Sequence, residues 1–600
     1  MQTWTDRHET LIVELSVKQQ DIIARLPSHL RCFVLVQDYS AYTPRDHAVW
    51  RFLMHQLQHQ LAESAHPVYL EGIEKTGISL EHIPSINEMN ECLGQIGWQA
   101  LCVDGFIPPA IFMEFQSLRT LVIASNMRTI DQIFYTPAPD ILHESAGHAP
   151  FLIDVDYAEF LQKIGEIGMK ALSSKKDETT YEAIRHLSII KEKLNATKDE
   201  VSAAESELGK AIEDNVELSE AALLTRLHWW TVEYGLVGDL DDYKIFGAGL
   251  LSSLGESNHC LDDVRVQKKL LTVDAINQAY DITTEQPQLF VTHSCRHLSQ
   301  VLEDAAKGMA QRVGGATSVR TAIKSEVVST LVYNSGIEVS GVVTNLVTDS
   351  MDNISYVQTS GRTQLAWQGQ QIPGHGTEYH SAGFGSPVGH VNEFSRCLSE
   401  YSIDELRFAG IQIGKHTILE YVSGIIVEGD LISIDRRDQK NILFSFDNCK
   451  VTGPQHELLF DPEWGQYDMA TGTEIVSVYG GSADPSTYPL HSPPAEKTSA
   501  RSWSDSEQQL FQSYSDVREM RQDHSIDPVA IDALVANVTR HHPEEWLLLF
   551  ELYELVIREK VAGNKAKSIF PILLHAAAKN AETDQLVHMG IERISSSQQD

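Results

Sequence analysis

Apolar residues change their period along this chain, and each change predicts a different kind of element. Residues 1–30 read as helical, and farther on Leu223, Leu227, Trp230 and Tyr234 recur on one helical face. Between about 170 and 220 the sequence turns rich in Lys, Glu and Ala, with Ile184, Leu187 and Leu194 at helical spacing. That pattern predicts an inserted helical hairpin whose charges form a solvated face. After about residue 312 come short β-type runs bounded by turn residues, at 327–333, 337–343 and 424–434. They predict an antiparallel β domain, a barrel or a sandwich. Residues 481–502 have linker composition. Beyond them Leu510, Phe511, Tyr514 and Val517, then 546–555, carry apolar stripes that the body of the protein or another subunit must cover. The expected chain is multidomain: a mainly α domain over 1–311, a β-rich domain over 312–480, a linker over 481–502 and a helical C-terminal region over 503–600. There is no persuasive internal repeat.

Composition narrows the class without naming it. A chain of 600 residues with 42% hydrophobic content can bury several cores. Its 47 basic and 83 acidic residues give a formal charge of −36, which favours solubility and argues against a nucleic-acid surface, since no local basic patch stands out. Seven scattered cysteines without a CxxC pair argue against a disulfide scaffold or a zinc ribbon. The opening residues lack a signal-peptide pattern, and no apolar run approaches the ~20 residues that span a bilayer. The expectation is a cytoplasmic protein with no membrane partner and no regulatory domain ahead of its first domain.

The chemistry concentrates in residues 135–150, where His143 and His148 stand five apart. Two neutral imidazoles on a divalent transition metal call for an anionic third ligand. Glu233 is the candidate, because it sits among large apolar side chains where a carboxylate is costly without a compensating cation. The peptidase motif H-E-x-x-H places its histidines four apart on a helix, with the Glu as general base. Here the string is H-E-S-A-G-H, and five residues of ideal helix turn a side chain by roughly 140°. Gly147 points to a wider turn just before the second histidine. Two histidines and one carboxylate with open positions is the arrangement of non-heme Fe(II) oxygenases. His375 and His380 repeat the five-residue interval, but the glycines and prolines around them read as a structural or interdomain loop in preference to a second metal site.

Three stretches carry a resemblance: P-D-x-x-H-E-x-x-G-H-x-P at 139–150, W-x-T-V-E-x-G-L at 229–236, and F-G-A-G-L-L-S-S at 246–253 followed by Gly255-Glu256. In these the chain resembles the pterin-dependent aromatic amino acid hydroxylases, with weaker similarity over about residues 40–310. The resemblance implies the mainly α catalytic domain of that family, with His143, His148 and Glu233 as ligands of Fe(II). It implies that Arg128 and Thr136 hold the carboxylate end of the amino acid, that Trp229 walls the aromatic pocket, and that Phe112 and Glu144 meet the pterin. Ser252 and Asp140 would stand behind the ligands, Ser252 orienting the His143 ring. The cofactors implied are Fe(II) and a tetrahydropterin, either tetrahydrobiopterin or a related pterin, acting with O2 on the aromatic amino acid. The pterin would supply two electrons. Phenylalanine is the preferred substrate, tryptophan or tyrosine the alternative. His228, Phe246 and Val122 depart from the animal enzymes, and no segment matches their oligomerising helix, so homo-oligomerisation is left open. Two functions of other classes are also open: a zinc metallopeptidase, for which Glu144 would be essential, and a catalytically inactive scaffold.

Overall fold

Thr43 and Asp46 close a reciprocal capping box on the helix Pro44–Leu61, with Pro44 at its first position. This helix is the spine of the first half of the computed structural model, which describes residues 17–103, 107–134, 139–192, 196–282, 284–489, 503–524, 526–560 and 564–596. Of the expected helical start, Val17–Arg25 is helical and Pro27 breaks it before the short turn Ser28–Phe33. Residues 1–16 lie outside the described residues.

Two small sheets brace the helical first half. One orders the strands Val34–Leu35, Gln99–Val103 and Thr120–Ala124, and the other orders Asp242–Ile245, Leu236–Asp239, Gln288–Thr292 and Gln267–Leu270. The hairpin expected over 170–220 is a pair of helices, Lys175–Glu192 and Lys198–Asp214, with Ala183, Ile190, Ala204 and Ala211 buried. Ile184 and Leu187 are half-buried, and Leu194 lies outside the described residues.

The C-terminal helices are not a detached tail. One continuous core joins Trp50, Phe52, Leu53 and Leu57 to Tyr514, Val517, Trp546, Phe550 and Val587. Phe52 meets Trp546 and Phe550 edge-on, at 5.2 and 5.1 Å between ring centroids. The body therefore covers the apolar stripes of 510–517 and 546–555. Beside this core Arg51, only 1% exposed, reaches Glu551 at 2.8 Å and also Glu554, which Arg593 binds at 2.7 Å.

The β region begins later than residue 312, because Ala310–Val313 and Gly315–Ser325 are helices whose Ala310, Val319 and Ala322 enter the β core. The first strand of this region is Val328–Tyr333. One sheet orders Gln370–Gln371, Ile354–Trp367, Ile337–Thr348, Val328–Tyr333 and Ile475–Gly480, with Gly383–Pro387 also pairing Ile354–Trp367. The other orders His416–Glu420, Ile426–Arg437, Lys440–Thr452 and Leu458–Phe460, with Tyr467–Ala470 also pairing Lys440–Thr452. All strand pairs in both are antiparallel. The expected linker is fastened at its start: Gln371 N donates to Asp484 (2.9 Å) and Tyr488 OH to the Arg362 carbonyl (2.8 Å). Residues 490–502 lie outside the described residues.

Candidate active site

Leu142–His148 is a π-helix, the wider turn that the H-E-S-A-G-H spacing requires. Bonding from each residue to the fifth along brings positions five apart back to nearly one face, so His143 and His148 project together. Gly147 serves this turn by its lack of a side chain and not by an unusual backbone angle. A Cβ there would lie 2.8 Å from the Ala248 carbonyl oxygen, so glycine is what lets the helix Ala248–Leu251 approach. Glu233 does not come from a regular helix either. The helix Glu220–His228 gives way to a second π-turn, Trp229–Glu233, closed by Tyr234 N donating to the Trp229 carbonyl at 2.9 Å.

The two π-turns meet at their polar ends. His143 Nε2 lies 3.1 Å from His148 Nε2 and 3.3 Å from Glu233 Oε2, and His148 Nε2 lies 3.4 Å from Glu233 Oε1. Donors bound at about 2.0–2.2 Å to one ion stand about 3 Å apart in octahedral or tetrahedral sets, so these groups fit a common metal. Glu144 is half-buried close by but stands off, 4.0 Å from His148 Nε2. Burial pushes its carboxyl up to about 8, with Glu233 and Asp140 adding to the effect and His148 opposing it. Burial also works against the ionised Glu233, but His148 and His143 outweigh it and hold that carboxyl well below the usual range.

Hydrogen bonding fixes the His143 ring. Its Nδ1 is 2.9 Å from Ser252 Oγ, and that hydroxyl donates to the Ala248 carbonyl at 2.8 Å. A hydroxyl has one proton, so Ser252 must accept from Nδ1–H. The Nε2 lone pair is then left facing His148 and Glu233, as a metal ligand requires.

Asp140 ties the first π-helix to Arg128. It accepts from the His143 backbone N–H (3.1 Å) and from Arg128 Nε and Nη2 (both 2.8 Å). Burial raises the Asp140 pKa, but Arg128 and these bonds prevail and keep it low. Asp140 thus occupies one edge of a guanidinium that is 4% exposed. Nη1 and the second Nη2 proton form another edge, with Ser252 O the only acceptor near Nη1, at 3.4 Å, among the described residues. Thr136 lies outside the described residues.

Trp229 stacks on Tyr280 at 4.3 Å and 13° and tilts against Tyr234 at 4.8 Å. Its Nε1 is buried with no hydrogen-bond partner among the described residues. Phe112, on the helix Pro109–Ser117, meets His228 edge-on at 5.7 Å. His228 lies between that ring and the carboxylates, its Nδ1 3.9 Å from Glu233 Oε1. Burial holds its pKa down at about 4 against the pull of Glu233. Of the other departures, Phe246 packs on Phe151 and Tyr157, and Val122 is a buried strand residue.

Sequence reasoning named Glu256 in a motif but gave it no role, and it passed over Tyr280. Glu256 accepts from Tyr234 OH at 3.1 Å, and burial raises it to about 7. Its place directly after the F-G-A-G-L-L-S-S stretch was a usable signal, whereas Tyr280 stands in no motif.

A family model described as biopterin-dependent aromatic amino acid hydroxylase matches residues 20–222 and 211–338, together more than half of the chain. The chain belongs to this family. Among its relatives in the hydroxylase family, the phenylalanine-4-hydroxylase of Chromobacterium violaceum is 29% identical over 270 residues, covering 44% of this chain and 75% of the relative. That of Ralstonia nicotianae is 30% identical over 268 residues, covering 44% and 72%. A crystal structure of the C. violaceum enzyme with bound iron(III) and oxidised cofactor 7,8-dihydrobiopterin is 26% identical, covering 49% of this chain and 91% of that one, with a TM-score of 0.37.

Proposed function

We propose that this hydroxylase is an iron- and tetrahydropterin-dependent monooxygenase that converts L-phenylalanine to L-tyrosine. The observation that carries the reading is the meeting of His143, His148 and Glu233 at 3.1–3.4 Å across two π-turns, in a chain of a biopterin-dependent family. The phenylalanine-4-hydroxylase relatives support the substrate. Bound there, Fe(II) and a tetrahydropterin would activate O2 and deliver one oxygen atom to the ring, the pterin giving up two electrons.

The residues of the chain supply position and shelter. His143 and His148 present lone pairs, Glu233 adds the charge that balances the ion, and three protein ligands leave room for further ones. Ser252 keeps His143 in the binding tautomer. Arg128, steadied by Asp140, would grip the amino acid carboxylate through the guanidinium edge that Asp140 leaves, and Thr136 would assist. Trp229, propped by Tyr280, would form one wall for the substrate ring. Phe112 would stack on the pterin. Glu144 would contact that ring through water.

A peptidase is poorly served here, since the regular helix of H-E-x-x-H that carries its general base between two histidines four apart is replaced by a π-turn with the histidines five apart. A scaffold would have no use for the bound tautomer of His143. No helix among the described residues is long and apolar enough to cross a membrane, and all seven cysteines are unpaired, which supports placing the protein in a reducing compartment such as the cytoplasm.

The test is anaerobic loading of the full chain with Fe(II), then O2, tetrahydrobiopterin and each aromatic amino acid in turn. Tyrosine from phenylalanine is expected. Product from tryptophan or tyrosine alone would overturn the substrate assignment, and no product from any of them would overturn the reaction.

A further inference from the structure

The β region holds a second cluster of the same residue types, 2 histidines and a carboxylate, on elements remote in sequence from the first. His375 and His380 lie in the loop that follows Gln370–Gln371. Their backbones are fixed to the strand Ile354–Trp367, where Leu365 N donates to His375 O and Thr363 N to His380 O, each at 3.0 Å. Asp468 comes from the strand Tyr467–Ala470 of the other sheet. Its Oδ1 accepts from Ser445 Oγ at 2.6 Å, which aims Oδ2 at the two imidazoles.

His375 Nδ1 is 3.2 Å from His380 Nε2, and Asp468 Oδ2 is 3.8 and 3.9 Å from those same two atoms. Three points so spaced lie on a circle of radius about 2.1 Å, the length of a zinc bond to nitrogen or carboxylate oxygen. Asp468 Oδ2 is buried, on a side chain 2% exposed, and accepts no hydrogen bond of ordinary length and angle among the described residues. The neighbouring Tyr379 hydroxyl donates elsewhere, to Gln466 at 2.8 Å. A hydrogen bond between the two imidazoles would account for their contact but would leave the carboxylate oxygen unsatisfied, which is expensive in a buried site. A cation satisfies all three atoms together.

We propose that His375, His380 and Asp468 bind a second divalent transition-metal ion, zinc in kind, that fastens the loop of one β sheet to a strand of the other. Two imidazoles and one carboxylate suit a borderline ion. Tyr379 and Phe384 pack edge-on against His380, at 4.7 and 5.5 Å, and shield it. The His375 side chain, 17% exposed, leaves a side open to a water as a fourth ligand. The role is structural, since among the described residues the cluster touches none of those assigned to hydroxylation.

The probe is Co(II) alone, titrated anaerobically into the full chain carrying His143→Ala and His148→Ala so that the first site is disabled. One equivalent showing the intense visible bands of a four-coordinate ion is expected. Adding Asp468→Asn, which preserves shape and the acceptor for Ser445, should weaken binding by more than the ~10–100-fold that loss of an outer-shell partner causes. The same Asp468→Asn change in the otherwise native chain should leave hydroxylation unchanged, which also reports that the fold is intact. Absence of the four-coordinate bands before Asp468 is changed, or bands undiminished after it, would overturn the proposal.

Discussion

Ser252 has a single hydroxyl proton and gives it to Ala248, so in the proposed site the Nε2 lone pair of His143 depends on a residue that would not touch the ion. Ser252→Ala removes that acceptor and lets the ring turn or change tautomer. Iron affinity should fall about 10–100-fold, measured by anaerobic Fe(II) titration, while Ser252→Thr retains most of it. Unchanged affinity in the alanine variant would show that the ring is held by packing alone. At this scale much was legible in the sequence. His143, His148 and Glu233 stood in motifs, and the five-residue interval with Gly147 already pointed to a wider turn at the histidines, whereas Glu233 was expected on a packed helix and stands on a π-turn. What Gly147 does was not legible, because the Ala248 carbonyl that crowds it is 101 positions away in sequence. Nor was the pairing of Arg128 with Asp140, which only folding brings against one edge of the guanidinium.

Between elements, a buried polar joint docks the last helices on Pro44–Leu61. Burial raises the pKa of Glu554, but Arg51 and Arg593 outweigh it and hold the carboxyl down at about 2. In the unfolded chain the same group titrates in the ordinary glutamate range. The bridge therefore stabilises the fold fully above that range, and the contribution is lost as pH falls toward 2. Glu554→Gln strips the charge from between two arginines and should cost roughly 3–5 kcal/mol at neutral pH. Urea unfolding should show the gap between the variant and the parent closing as the medium is acidified. A gap independent of pH would refute the electrostatic account. The sequence announced helices here by their stripes, yet a stripe does not say what covers it. Three β runs were legible from their composition and bounding turn residues, while Ala310–Val313 and Gly315–Ser325 were missed as helices because they lie at a change of period.

For the whole molecule, the first half and the C-terminal helices share one core, so neither is expected to stand alone. A chain ending at residue 502 would expose Phe52, Leu53 and Leu57 to water and should elute as aggregates on size-exclusion chromatography. A monodisperse, iron-binding truncation would show instead that the helices are an appendage. Everything functional rests on the two π-turns bringing three ligands to one ferrous ion and leaving part of it free. Nitric oxide tests that directly, because it binds high-spin Fe(II) only where a coordination position is open. The anaerobic Fe(II)-loaded chain, exposed to nitric oxide, is predicted to give the electron paramagnetic resonance signal of a high-spin iron–nitrosyl, and His143→Ala is predicted to abolish it. No nitrosyl signal in the parent chain, or one that survives His143→Ala at full strength, would contradict the account.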